Sequence, residues 1–88
     1  MRAFIRLGDK TDHGGEVITA SGPQVYGKNV ALVGDKVTCP IPGHGVNAIL
    51  PGQTRININN KLAALDHFKT ECGCRVIASL SNAGEQSA

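Results

Sequence analysis

The sequence predicts an all-β fold of three pseudo-threefold β-hairpin repeats stapled by a metal. Three observations lead there. The chain has 88 residues with eleven Gly and four Pro, the composition of turns and short strands rather than helices. Only Phe4, Phe68 and Tyr26 are aromatic and there is no Trp, so a domain this small has a lean core and calls for a staple. Finally, one seven-residue pattern recurs three times, the signature of a repeat architecture.

The recurrences are Leu7-Gly8-Asp9-Lys10-Thr11-Asp12-His13, Val33-Gly34-Asp35-Lys36-Val37-Thr38-Cys39 and Asp66-His67-Phe68-Lys69-Thr70-Glu71-Cys72. They superimpose without gaps, and the seventh position holds His13, Cys39 or Cys72. Upstream, Gly27-Lys28-Asn29-Val30-Ala31-Leu32 aligns with Asn60-Lys61-Leu62-Ala63-Ala64-Leu65. Gly27 and Asn60 share one slot, and both residue types tolerate the positive φ that a tight hairpin turn requires.

The elements follow in order. Val25-Tyr26 is a weak strand before the Gly27 turn, and Arg55-Ile56-Asn57-Ile58-Asn59 is its stronger counterpart, with polar and apolar residues in strict alternation. Each repeat thus reads as strand, turn, strand and ligand-bearing loop. After the loops come three β-prone runs, 16–19, 48–50 and 75–78. Residues 1–80 form one domain, and 81–88, small and polar, read as a flexible tail.

Charge and targeting signals exclude several classes. The net charge of +2 is spread over singly placed Lys and Arg, so no basic stripe marks a nucleic-acid surface. The N-terminus lacks an apolar run of signal-peptide length, and no segment is long enough to span a bilayer. A chain made and folded in the cytoplasm is expected. Three cysteines, an odd number, favour metal ligation over a disulfide framework.

Equivalent positions of three units converge on their common axis, which brings His13, Cys39 and Cys72 to one point. The spacing grows from 26 residues (His13 to Cys39) to 33 (Cys39 to Cys72). Part of that insertion is Cys39-Pro40-Ile41-Pro42-Gly43-His44-Gly45, which supplies His44 as a fourth donor. Cys2His2 is a common closed zinc set. Taken singly, each residue has a plainer reading: His13 as a turn histidine, Cys39 as a small buried hydrophobe, His44 as a solvent-facing loop residue. Cys74 rivals Cys72, because residues i and i+2 of an extended segment share a face; the repeat register favours Cys72. His67 aligns with Gly8 and Gly34 rather than with the ligand slot, and reads as a surface or partner-facing histidine.

Catalytic readings are weaker. Asp9 and Asp35 sit in Gly-Asp-Lys turns, where an aspartate bonds its own backbone, and the third repeat has Phe68 there. Nothing around Cys39 resembles a helix N-terminus or supplies an orienting third residue for a Cys–His nucleophile. Four donors suffice to close a zinc site, whereas a catalytic zinc keeps an open position.

The set Asp12-His13-Gly14-Gly15, Gly34-Asp35-Lys36-Val37-Thr38-Cys39-Pro40 with Gly43-His44-Gly45, and Thr70-Glu71-Cys72-Gly73-Cys74 resembles the PAAR-repeat family over residues 5 to about 80. In place of the Pro-Ala-Ala-Arg tetrapeptide stand Asn29-Val30-Ala31-Leu32 and Leu62-Ala63-Ala64-Leu65. The resemblance implies a cone seated on the blunt end of a trimeric VgrG spike, the puncturing device of the bacterial type VI secretion system. It also implies effector recruitment, export by that system with passage through a target membrane, and a metal near the point whose ligands match His13, Cys39, His44 and Cys72. Neither a nucleic acid nor a small-molecule substrate is expected. A free-standing zinc-stabilised binding module, acting as a toxin adaptor or immunity-like protein, is the alternative.

Overall fold

The computed structural model describes residues 2–80 and 83–85. Among these there is no helix, only short strands and turns. The strands are β1 (Arg2–Ala3), β2 (Lys10–Thr11), β3 (Gln24–Val25), β4 (Lys28–Asn29), β5 (Lys36–Cys39), β6 (Gly45–Ala48), β7 (Asn57–Ile58), β8 (Lys61–Leu62), β9 (Val76–Ile77) and β10 (Gly84–Glu85). All pairs are antiparallel: β3 with β4, β5 with β6, β7 with β8, β2 with β9, and β1 with β10. The described residues span 37 × 24 × 22 Å.

The two upstream hairpins form where the shared Gly27/Asn60 slot predicts them. Tyr26 and Gly27 both have positive φ, 52° and 84°, as do Asn59 and Asn60, 53° and 66°. Positive φ at both central residues is the type I′ geometry whose twist matches that of the flanking strands. Of the alternating segment 55–59, only Asn57–Ile58 is strand. The run 16–19 contributes isolated bridges rather than a strand.

The repeats are joined in a closed circuit of backbone hydrogen bonds. Ala31 N donates to Ile5 O, Ala64 N to Ala31 O, and Ile5 N to Ala64 O, at 2.7–3.0 Å. Bridges follow the same order, with Arg6 opposite Val30, Leu32 opposite Ala63 and Leu65 opposite Phe4. A chain whose strands are two residues long leaves many backbone groups to satisfy, and this circuit satisfies the most deeply buried ones. Ile5, Ala31, Ala64 and Leu65 are all fully buried and lie in one cluster with Val17, Val37, Ile49 and Val76. Alanine at two of the three central positions lets the backbones approach.

The circuit closes through the chain ends. The β10–β1 pair takes the place that β3–β4 and β7–β8 take in the other two repeats. Phe4 N donates to Ala83 O as Val30 N does to Pro23 O and Ala63 N to Ile56 O. Within 81–88, the expected tail, residues 83–85 therefore pair with the start of the chain; 81, 82 and 86–88 lie outside the described residues.

One side chain departs from the aliphatic pattern. Arg6 stands where the other repeats have Leu32 and Leu65, and is only 7% exposed. Its guanidinium donates to Val25 O, Tyr26 O and Ser79 Oγ, and Ser79 Oγ donates in turn to Asp9. Asp9 also accepts from Arg6 N, and Asp35 from Leu32 N. Both turn aspartates therefore cap their own backbone.

Candidate metal centre

The first and third ligand-bearing loops start from the same hydrogen bond across the turn between the repeated segment and the run that follows it. Thr11 N donates to Gly15 O and Thr70 N to Cys74 O, both at 2.9 Å. In the second repeat the loop is longer and becomes the β5–β6 hairpin, in which Cys39 pairs with Gly45. Gly43 and Gly45 there have φ of 86° and 56°, a region in which a side chain is strained. His44 N donates to Ile41 O at 3.0 Å, and Asn47 Nδ2 donates to His44 O. The insertion is thus a tight turn that folds His44 back toward Cys39.

The donor atoms of His13, Cys39, His44 and Cys72 all lie within 4.8 Å of one another. Cys39 Sγ is 3.4 Å from His44 Nδ1 and 3.9 Å from His13 Nδ1. Tetrahedral zinc, with bonds of about 2.3 Å to sulfur and about 2.0–2.1 Å to nitrogen, holds such pairs about 3.5 Å apart. The two distances bracket that value, so the group could hold a metal ion. Cys39 is buried, and the other three donors are half-buried, as in a site near a surface.

The thiols differ. Burial pushes the Cys39 thiol up from its ordinary 9.0, and burial likewise raises Cys74. Burial also acts to raise Cys72, but hydrogen bonds from Thr70 Oγ1, from the backbone and side chain of Cys74 and from His44 outweigh it, leaving it lowered to about 6. A thiolate is the metal-binding form, so Cys72 is in that form at neutral pH while Cys39 still has a proton to lose.

Cys74 and His67 take different places. Cys74 is fully buried, with Sγ 3.4 Å from Cys72 Sγ, and belongs to a second group with Asp12 and His13. His67 has a side chain 62% exposed, and its Nδ1 lies 2.9 Å from Asp66 Oδ2. Its φ of 70° matches the 87° and 96° of Gly8 and Gly34 in the same slot, which explains why a histidine aligns with two glycines.

A further set of residues matters and was not singled out from the sequence. The position before each ligand slot carries Asp12, Thr38 or Glu71, and each side chain accepts a hydrogen bond from a neighbouring repeat. Asp12 Oδ1 accepts from Arg75 N at 2.8 Å, Thr38 Oγ1 from Glu16 N at 3.1 Å, and Glu71 Oε1 from Ala48 N at 2.7 Å. The signal was present as an oxygen-bearing side chain at one position of all three repeats. Their spatial partners, though, are visible only once the loops stand side by side.

A search of curated proteins finds no match. The PAAR motif family model matches residues 7–78, a span that contains all three ligand loops and, of the central circuit, Ala31 and Ala64. The chain belongs to the PAAR-repeat family of type VI secretion spike-tip proteins.

Proposed function

We propose that the chain is a metal-stabilised tip that caps and sharpens a trimeric VgrG spike and helps recruit effectors, in a mechanical and non-catalytic role. The observation that carries this reading is the convergence of four N and S donors, from three different loops, within a domain of the spike-tip family. His13, Cys39, His44 and Cys72 would hold the ion. Zinc would supply a closed tetrahedral cross-link between the three loops, which turns its binding free energy into resistance to unfolding. The cyclic order of hydrogen bonds supports the partner assignment, since a monomer with three similar faces can seat on a true threefold trimer. The unpaired strand edges that such short strands leave are the kind of surface an assembly covers.

Two measurements test the reading. Elemental analysis of purified protein is expected to find about one zinc per chain, as one closed four-ligand site requires, and a well-folded sample without metal overturns the site. Mixing with a VgrG trimer is expected to give one copy per trimer in size-exclusion chromatography with light scattering. Zinc-loaded protein that stays monomeric with every spike tried overturns the capping role and points to a free-standing binding module.

A further inference from the structure

Cys74 is the buried nucleophile that the proposed metal site leaves unused. It is an addition of the third repeat: the matching position in the first is Gly15, where an added Cβ would lie 1.8 Å from Thr38 O. Instead of meeting backbone, the Cys74 side chain meets Cys72, with 3.4 Å between the two sulfurs. Thr70 Oγ1 touches both, at 2.9 Å from Cys74 Sγ and 3.3 Å from Cys72 Sγ, and holds them side by side. Thr70 itself is buried and pinned by its backbone hydrogen bond to Cys74 O. Gly73, with φ of 89°, makes the turn between the two cysteines.

We propose that Cys72 and Cys74 form a redox-active dithiol site, and that its oxidation withdraws Cys72 from the metal site. Only Gly73 separates the cysteines, so their Cα atoms, two residue steps apart, are at most about 7 Å from each other even when extended, and the turn at Gly73 brings them closer. Disulfides are made at Cα separations of about 4.4–6.8 Å. The oxidant class is a low-molecular-weight disulfide, RS–SR. Cys72 sulfur attacks one sulfur of RS–SR, giving a mixed disulfide and one RS⁻. Cys74 sulfur then attacks the Cys72 sulfur, forming the Cys72–Cys74 bond and expelling the second RS⁻. One leaving RS⁻ takes the Cys74 proton and the other takes a proton from solvent, matching the one Cys72 gave up on becoming a thiolate, so two cysteines and RS–SR become one cystine and two RSH.

The consequence is an exchange of one clamp for another. A disulfide sulfur is a poor metal ligand, so oxidation leaves His13, Cys39 and His44 as a three-donor remnant that lets the ion go. A reducing compartment keeps the dithiol open and the metal bound, and an oxidising one closes it. The metal-release part rests on Cys72 being a ligand; disulfide formation does not.

The test uses the full chain, metal-free and zinc-loaded, with oxidised glutathione as the probe. Free thiols are then trapped by alkylation and located by peptide mapping. Metal-free protein is expected to give a Cys72–Cys74 disulfide with Cys39 alkylated. A bond to Cys39, lasting glutathione adducts, or three alkylated cysteines each overturn the dithiol. Zinc-loaded protein is expected to release its ion to a chromogenic chelator in step with that disulfide; a formed disulfide with zinc retained overturns the coupling. Cys74→Ser is expected to bind zinc and to keep it under the same oxidant, and loss of zinc from the unoxidised variant overturns the coupling by making Cys74 a ligand. Zinc content measured before oxidant is added reads the metal site separately, and the metal-free arm stands whatever that content is.

Discussion

The central circuit and the ligand loops are built from the same repeated sequence, yet different forces hold them. In the circuit, Ile5, Ala31 and Ala64 pass backbone hydrogen bonds from one repeat to the next inside an aliphatic cluster that solvent does not reach. In the loops backbone bonds still cross between repeats, from Asp12 N to Arg75 O, Thr38 N to Glu16 O and Glu71 N to Ala48 O, but they are supplemented by the side chains of Asp12, Thr38 and Glu71 and by the four clustered donor atoms. The difference teaches that a repeat can be closed at one level by backbone bonds inside apolar burial and at another by backbone bonds joined with polar side chains and donors able to hold an ion.

Perturbing the two regions should separate them. The largest effect belongs to the circuit: Leu65→Ala removes a fully buried side chain and is expected to cost about 2–5 kcal/mol, by denaturant titration, in metal-free and zinc-loaded protein alike. A loss seen only without zinc would mean that the core does not carry the fold. Next comes metal removal, which should lower stability by about 4 kcal/mol relative to protein at a free-zinc concentration a thousandfold above its Kd. Calorimetry with and without a chelator checks it, and an unchanged Tm would remove the ion from the loops.

Asp12→Ala should be smaller, about 0.5–1.5 kcal/mol, because it deletes one hydrogen bond between loops at an exposed position. Hydrogen exchange at the Arg75 amide is the local readout, and protection that survives the substitution would show that the cross-repeat bond is idle. The remaining prediction concerns pH. A thiol lowered from 9.0 to about 6 in the folded chain stabilises it fully above 9.0, and that contribution is lost as pH falls toward 6. Metal-free wild type should therefore gain Tm between pH 6 and 9 relative to Cys72→Ser. Cys39 and Cys74, shifted upward, act only above 9.0. Parallel curves for the two proteins would dismiss the lowered Cys72.

Legibility in the sequence differed between the same regions. The hairpin turns were readable at Gly27 and Asn60 because positive φ restricts residue choice at that very position, whereas Tyr26 and Asn59, read as strand, are the other turn residues of each pair. The slots of His13, Cys39 and Cys72 were readable because a repeat aligns what its geometry superimposes. The closing pair β10–β1 was not, since Gly84–Glu85 sits in a small, polar stretch with no β signal of its own and is strand only because Arg2–Ala3 lies beside it. The placement of Cys74 against Cys72 was equally hidden: spacing allowed a shared face, but only the Gly73 turn and Thr70 decide which atoms meet.

By itself, then, the sequence determined an all-β repeat protein with short strands, its turn positions and the residue types able to hold an ion. Such properties depend on each residue's own conformational range and chemistry. Tertiary structure decided how the ring closes through the chain ends, which loops are laced by Asp12, Thr38 and Glu71, and that the two cysteines of the third repeat lie sulfur to sulfur. These are contacts between groups distant in sequence or across a turn, set by packing of the whole chain and encoded at no single position.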